Sequence, residues 1–97
     1  MTFIQVIDYH TSKADEMKAL GDEWETASAD RQTTARVIVV QDRDDRSHYQ
    51  NIVFFDSYES AMANSDLPET NEFAKRMMDL VDGPTTFLNL DVIEDRG

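Results

Sequence analysis

Four short segments of alternating character constrain this chain more than any other feature. They are Thr2–Tyr9, Ala35–Gln41, Tyr49–Phe55 and Thr85–Ile93. A strand sends successive side chains to opposite faces of its sheet, so parity sorts each segment into two faces. The even positions read Ile4, Val6, Ile38, Val40, Ile52, Phe54, Leu88, Leu90 and Val92. They are almost wholly apolar. The odd positions read Phe3, Gln5, Ile7, Tyr9, Val37, Val39, Gln41, Tyr49, Asn51, Val53, Phe55, Phe87, Asn89 and Asp91. They are apolar with amides and phenols set among them. Neither face suits water, and an uncovered one would exceed the apolar patch of a few hundred Å² that monomers tolerate.

Helical periods fill the gaps between these segments. Met17, Leu20, Trp24 and Ala27 recur at three and four residues and predict a helix over Lys13–Ser28. Thr11 or Ser12 is placed to cap it, with Asp15 and Glu16 in its first turn. Asp42–Ser47 is a charged turn without an apolar residue, so the second and third strands form a hairpin. Asp56 stands three residues before Glu59, the spacing of a capping box, and predicts a short helix over Ser57–Asn64. Ser65-Asp66-Leu67-Pro68 interrupts that helix, and Pro68 suits the first turn of a continuation. The continuation carries Phe73, Met77 and Leu80 on one face and stops at Gly83-Pro84.

The order is β-α-β-β-α-β, with the second helix broken near Pro68. That is a ferredoxin-like α+β domain spanning residues 1–97. Its antiparallel sheet has strand order 4-1-3-2 and helices on one face only. The helices cover the odd face. The even face, with Ile4, Val6, Ile38, Val40, Ile52, Phe54, Leu88 and Leu90, then calls for a second copy of the chain, packed sheet on sheet. A homodimer is the expected partner state.

Composition excludes several functions. The 97 residues carry a formal charge of −11, which opposes binding to nucleic acid or to an anionic membrane surface. With no cysteine there is no disulfide, thiolate nucleophile or cysteine-held metal. The longest apolar run, Val37–Val40, is far short of a membrane span. The N-terminus lacks the pattern of a signal peptide, so the cytoplasm is the expected compartment. Three glycines leave no phosphate-cradling loop. Asp42, Asp44 and Asp45 lack the glycine and terminal glutamate of a calcium loop, so no metal site is expected. No cofactor is expected either.

The amides on the odd face are the most informative residues. Gln5, Asn51 and Asn89 fall on three adjacent strands, and buried amides need partners. They either bond to one another and to tyrosines, or they orient a ligand in a semi-polar pocket. The candidate pocket comprises Gln5, Ile7, Tyr9, Trp24, Tyr49, Asn51, Phe55, Phe73, Met77 and Asn89. Trp24 serves either as a core anchor or as a wall for an aromatic ligand. Tyr9, His10 and Asn51 are the candidate catalytic residues, His10 being the general base suggested by chemistry alone. His10 ends the first strand and His48 begins the third. The sequence reading sets them at opposite ends of that strand pair, too far apart to share a site.

The stretch Ile52-Val53-Phe54-Phe55-Asp56-Ser57-Tyr58-Glu59-Ser60-Ala61, continuing to Phe73-Ala74-Lys75-Arg76-Met77, carries a family resemblance. With the whole-chain pattern, it resembles the dimeric α/β-barrel superfamily, and within it the antibiotic-biosynthesis-monooxygenase-like (ABM) domains. The resemblance implies the fold, a dimer, and a pocket between sheet and helices. It includes cofactor-free oxygenases of aromatics or quinols, haem-degrading oxygenases and lactone isomerases. The positions used by the haem-degrading members fall here on Ile7, Phe55 and Met77, all of which differ from the family's residues. The resemblance therefore implies against haem degradation of that type. The expectation is a homodimer with a pocket for a small aromatic or lipophilic molecule, with cofactor-independent monooxygenation as the implied reaction. The rivals are a non-catalytic interaction module with a filled core, and a regulatory domain binding an effector at the dimer interface.

Overall fold

β1 (Phe3–His10) is the strand on which the sheet is built, because it pairs antiparallel with both β3 (His48–Phe55) and β4 (Thr86–Asp91). β2 (Arg36–Gln41) adds to the far side of β3 through the hairpin. The order is β2-β3-β1-β4, the expected 4-1-3-2 seen from the other edge. This computed structural model describes residues 2–97.

The registers preserve parity across the whole sheet. Val6 faces Ile52 and Leu88, and Ile52 faces Ile38. Ile7 faces Asn51 and Phe87, and Val39 faces Asn51. The even and odd faces inferred from alternation are therefore real surfaces.

Among the described residues, three helices complete the fold: α1 (Ala14–Ser28), α2 (Tyr58–Ser65) and α3 (Pro68–Met78). They cover the odd face and divide its core into two clusters. Tyr9 packs with Met17, Leu20 and Met77, bordered by Ile7, Tyr49, Phe73, Leu80 and Val81. Phe3 packs with Phe55 and Ala61, bordered by Val53. Tyr58 closes the second cluster edge-on to Phe3, at 5.5 Å between ring centroids. Cover is confined to the central strands. At the sheet's edges the odd-face residues Val39 and Phe87 remain 61% and 51% exposed.

Among the described residues no helix lies on the even face. Val6 is buried at its centre by its strand neighbours, while Val40, Leu88 and Leu90 are exposed toward its margins. Arg36 lies over the Phe54 ring at 5.8 Å, so its guanidinium shields part of this apolar strip.

Three local expectations are corrected. The α1 N-cap is Lys13 and makes no side-chain cap bond. Thr11 is committed elsewhere: its hydroxyl donates to the Leu80 carbonyl at 2.6 Å and accepts from the Lys13 amide at 3.0 Å. It ties the start of α1 to the segment after α3. The α2 cap is Ser57, whose oxygen accepts from the Ser60 amide, rather than Asp56 in a box with Glu59. α3 ends at Met78, well before Gly83-Pro84. There the Asp79 amide turns back to the Arg76 carbonyl, and the Asp82 amide bonds the His10 carbonyl at 2.7 Å. This docking to the end of β1 outweighs continued helix, and Leu80 reaches the core from a turn. Gly83, at φ 99°, then makes the left-handed step into β4 that a side chain would disfavour.

Phe55 is 1% exposed and Ile93 is 95% exposed, and this difference predicts their stability effects. Phe55→Ala should cost about 3–5 kcal/mol in urea unfolding. Ile93→Ala should change stability by less than about 0.5 kcal/mol.

Candidate functional site

Two adjacent positions on the central strands form the polar heart of the odd face. Tyr9 in β1 sits two register steps from the Ile7–Asn51 pair, so the parity rule turns Tyr9 and Asn51 to the same side. The Tyr9 hydroxyl donates to Asn51 Oδ1 at 2.8 Å. Tyr9 is only 2% exposed, and its ring stacks on Tyr49 at 5.9 Å and 15°. Burial pushes the Tyr9 phenol up to about 12 from 10.0, with Tyr49 adding to the shift. At neutral pH it is therefore a fixed donor and not a base.

This bond has a consequence for Asn51. Its oxygen is held by Tyr9, which fixes the amide orientation. Among the described residues the Nδ2 group takes no side-chain partner. Asn51 is half-buried, beside the exposed edge residue Val39 and next to Val53 along β3. It thus presents an oriented N–H donor at the border between core and open sheet edge. A carbonyl or phenolate oxygen is the complementary group.

The second amide pair lies nearer the other edge. Gln5 Nε2 donates to Asn89 Oδ1 at 3.2 Å across the β1–β4 pair. Phe87, on the same face of β4, is exposed beside it.

The other candidates separate. Met77 and Phe55 are 2% and 1% exposed and belong to different core clusters. Ile7 borders the Tyr9 cluster. Trp24 and Phe73 meet edge to face at 6.4 Å in a groove of about 410 Å³ between α1 and α3. Trp24 Nε1 donates to Thr70 there at 3.0 Å. The groove is spanned by two ion pairs, Arg31 with Glu69 and a two-bond Arg76–Glu23 fork at 2.9 Å. Hence Trp24 lies apart from Tyr9 and Asn51, while Phe73 lines the groove and also borders the Tyr9 cluster.

His10 is the clearest correction. Antiparallel pairing sets the end of one strand against the start of the next, so His10 is the direct register partner of His48. Their rings stack at 4.6 Å and 11°. Both are on even positions, the opposite face from Tyr9 and Asn51. His48 bridges two carboxylates: Nε2 to Asp8 at 2.8 Å and Nδ1 to Asp42 at 2.9 Å. Gln50 also donates to Asp8 at 2.7 Å, and His10 lies 3.3 Å from Asp45. The register arithmetic could have found this network from the sequence, since Asp8, His10, His48 and Gln50 share parity at one sheet end. Among the described residues, no group of three or more His, Cys, Asp or Glu is arranged to hold a metal ion.

Tyr9 supplies a direct check on the odd-face site. A folded-state value raised from 10.0 to about 12 means that its contribution is complete below pH 10 and is lost as pH rises toward 12. The tyrosinate absorbance that Tyr9→Phe removes should accordingly appear only near pH 12.

No family model matches the sequence, and no curated protein matches it significantly. Solved structures do match the fold. The cofactor-independent oxygenase SnoaB from Streptomyces nogalater superposes with TM-score 0.81 at 13% identity, over 97% of this chain and 95% of that one. Rv0793 from Mycobacterium tuberculosis gives 0.81 at 10% identity, over 100% of both chains. A Nitrosomonas europaea protein, provisionally assigned as an antibiotic biosynthesis monooxygenase, gives 0.79 at 11%, over 99% and 94%. At such identities the likeness is one of backbone architecture. With its four-stranded antiparallel sheet and one-sided helical cover, the chain has the ferredoxin-like α+β fold of the antibiotic-biosynthesis-monooxygenase-like proteins.

Proposed function

We propose that two copies of this chain associate through their even faces, and that each binds a small aromatic or lipophilic molecule on the odd face at Asn51. The observation that carries the site is the Tyr9–Asn51 bond, which leaves an oriented amide N–H beside apolar surface. Val37 and Val39 supply exposed apolar wall on the β2 side, with Tyr49 bordering the buried cluster. Gln5 and Asn89 extend the polar stripe toward β4. The dimer rests on the uncovered even face, where Leu88 and Leu90 are each 44% exposed.

The reaction this arrangement suits is cofactor-independent oxygenation, the activity named for the similar SnoaB. An electron-rich CH₂ flanked by aromatic or carbonyl groups loses a proton to water, and the resulting carbanion transfers electrons to O₂. Recombination gives a hydroperoxide, and loss of water leaves a ketone, so one O₂ yields one C=O and one H₂O. The Asn51 amide would stabilise the oxyanion form of the substrate, which lowers the barrier to that first proton loss. Tyr9 acts through Asn51 by holding its orientation.

The alternative is a non-catalytic module. The mutual pairing of Tyr9 with Asn51 and of Gln5 with Asn89 favours it, as does the closed packing of Phe55 and Met77.

Oxygen uptake with anthrone, naphthoquinol and phenol substrates separates the two. On the oxygenase reading, at least one class consumes O₂ with saturation. Asn51→Ala then lowers kcat/KM by roughly 10²–10³-fold, the usual loss of one oxyanion donor. Tyr9→Phe should lower it about tenfold, for one lost orienting bond. Absence of uptake with all three classes, with no shift of the Asn51 side-chain amide in NMR, selects the non-catalytic module.

A further inference from the structure

We infer that the even face carries a protonation-controlled latch, in which His48 clamped between Asp8 and Asp42 favours association of two copies. The inference rests on the dimer proposed above and adds how it is regulated.

Position comes first. Asp8, His10, His48 and Gln50 occupy even positions at one end of β1 and β3, continuous with Val6 and Ile52 on the same face. Asp42 follows β2 directly, and its amide bonds the His48 carbonyl at 2.9 Å. The cluster therefore forms one rim of the surface that a second copy would cover.

Geometry then fixes the protonation state. Both ring nitrogens of His48 meet carboxylate oxygens, at 2.8 and 2.9 Å. A carboxylate only accepts, so both nitrogens must donate, and only the imidazolium has two N–H groups. A neutral ring would set a lone pair against one of those oxygens. With both nitrogens engaged, His48 has no free position for acid–base chemistry on a substrate. Its role is in the structure of the rim.

The charges facing His48 come from every neighbouring element. β1 contributes Asp8 and His10, the end of β2 contributes Asp42, and the hairpin turn contributes Asp45 through His10. β4 opposes Asp8 with the uncharged Thr86. Arg46 is engaged with Gln41. Loss of the His48 proton therefore changes the formal charge of the Asp8–His48–Asp42 group from −1 to −2. It does so in a chain whose formal charge is −11 with its histidines neutral, next to apolar surface that must be desolvated.

The sign follows. Bonding to Asp42 first and Asp8 second raises the His48 value above 6.5. The latch is complete below 6.5 and is lost as pH rises through that elevated value. On the acid side, hydrogen bonds hold Asp8 and Asp42 below the ordinary 3.8, so the latch survives until pH falls through their lowered values. Association should be strongest between these limits.

The test is sedimentation of the full chain across a dilution series at pH 6.5 and pH 9, with His48→Gln and His10→Gln alongside. The dimer dissociation constant of the unmodified protein should rise at least about tenfold between the two pH values. His48→Gln should flatten that dependence, and His10→Gln should retain it. NMR titration of the unmodified protein reads the same event without a variant, the His48 ring signal moving above pH 6.5 in step with the mass. A dimer equally strong at both pH values overturns the latch and leaves the dimer standing. Dependence that survives in His48→Gln overturns the assignment to His48. A monomer at every concentration and pH overturns the latch and the dimer together.

Discussion

The pairing of β1 with β3 is the constraint on which the rest depends. It runs unbroken from Phe3–Phe55 to His10–His48. One end of this ladder places Phe3 against Phe55 and starts the smaller core cluster. The other end places Tyr9 against Tyr49 and His10 against His48, on opposite faces. A slip of β3 by one residue would turn that strand over, putting Gln50 under the helices and Phe55 in water. The apolar core, the Tyr9–Asn51 pair and the His48 network are thus three results of a single register.

The two faces differ because the helices cover only one. α1 and α3 are joined by the Arg76–Glu23 fork, the Arg31–Glu69 pair and the Trp24–Thr70 bond, so they behave as one layer. That layer lies over the central strands and leaves the edges of the odd face open. An enclosed site is not needed for an oriented donor, since Asn51 is held by Tyr9 from within the core. Among the described residues the even face has no such layer, and its polar rim meets its apolar centre directly.

Much of this was legible in the chain. Alternation identified all four strands and their faces, because a half-buried strand must repeat every two residues. Pro68 marked the break between α2 and α3, because a proline suits a first helical turn. The amides Gln5, Asn51 and Asn89 stood out because polar residues on an apolar face need a partner. Their pairings depended on which strands became neighbours. His10 and His48 were misplaced because the antiparallel sense was applied to the faces and not to the strand ends.

The sequence by itself determined the element order, the two apolar faces and the acidic charge, since these follow from local period and composition. Tertiary structure decided where α3 stops, because the His10 carbonyl and Thr11 hydroxyl capture the segment after it. It also drew Trp24 away from the proposed site, because its indole meets Phe73 and Thr70 of α3 rather than Asn51. And it brought Asp8, Asp42 and His48 within hydrogen-bond reach, because residues far apart in the chain meet only when strands pair.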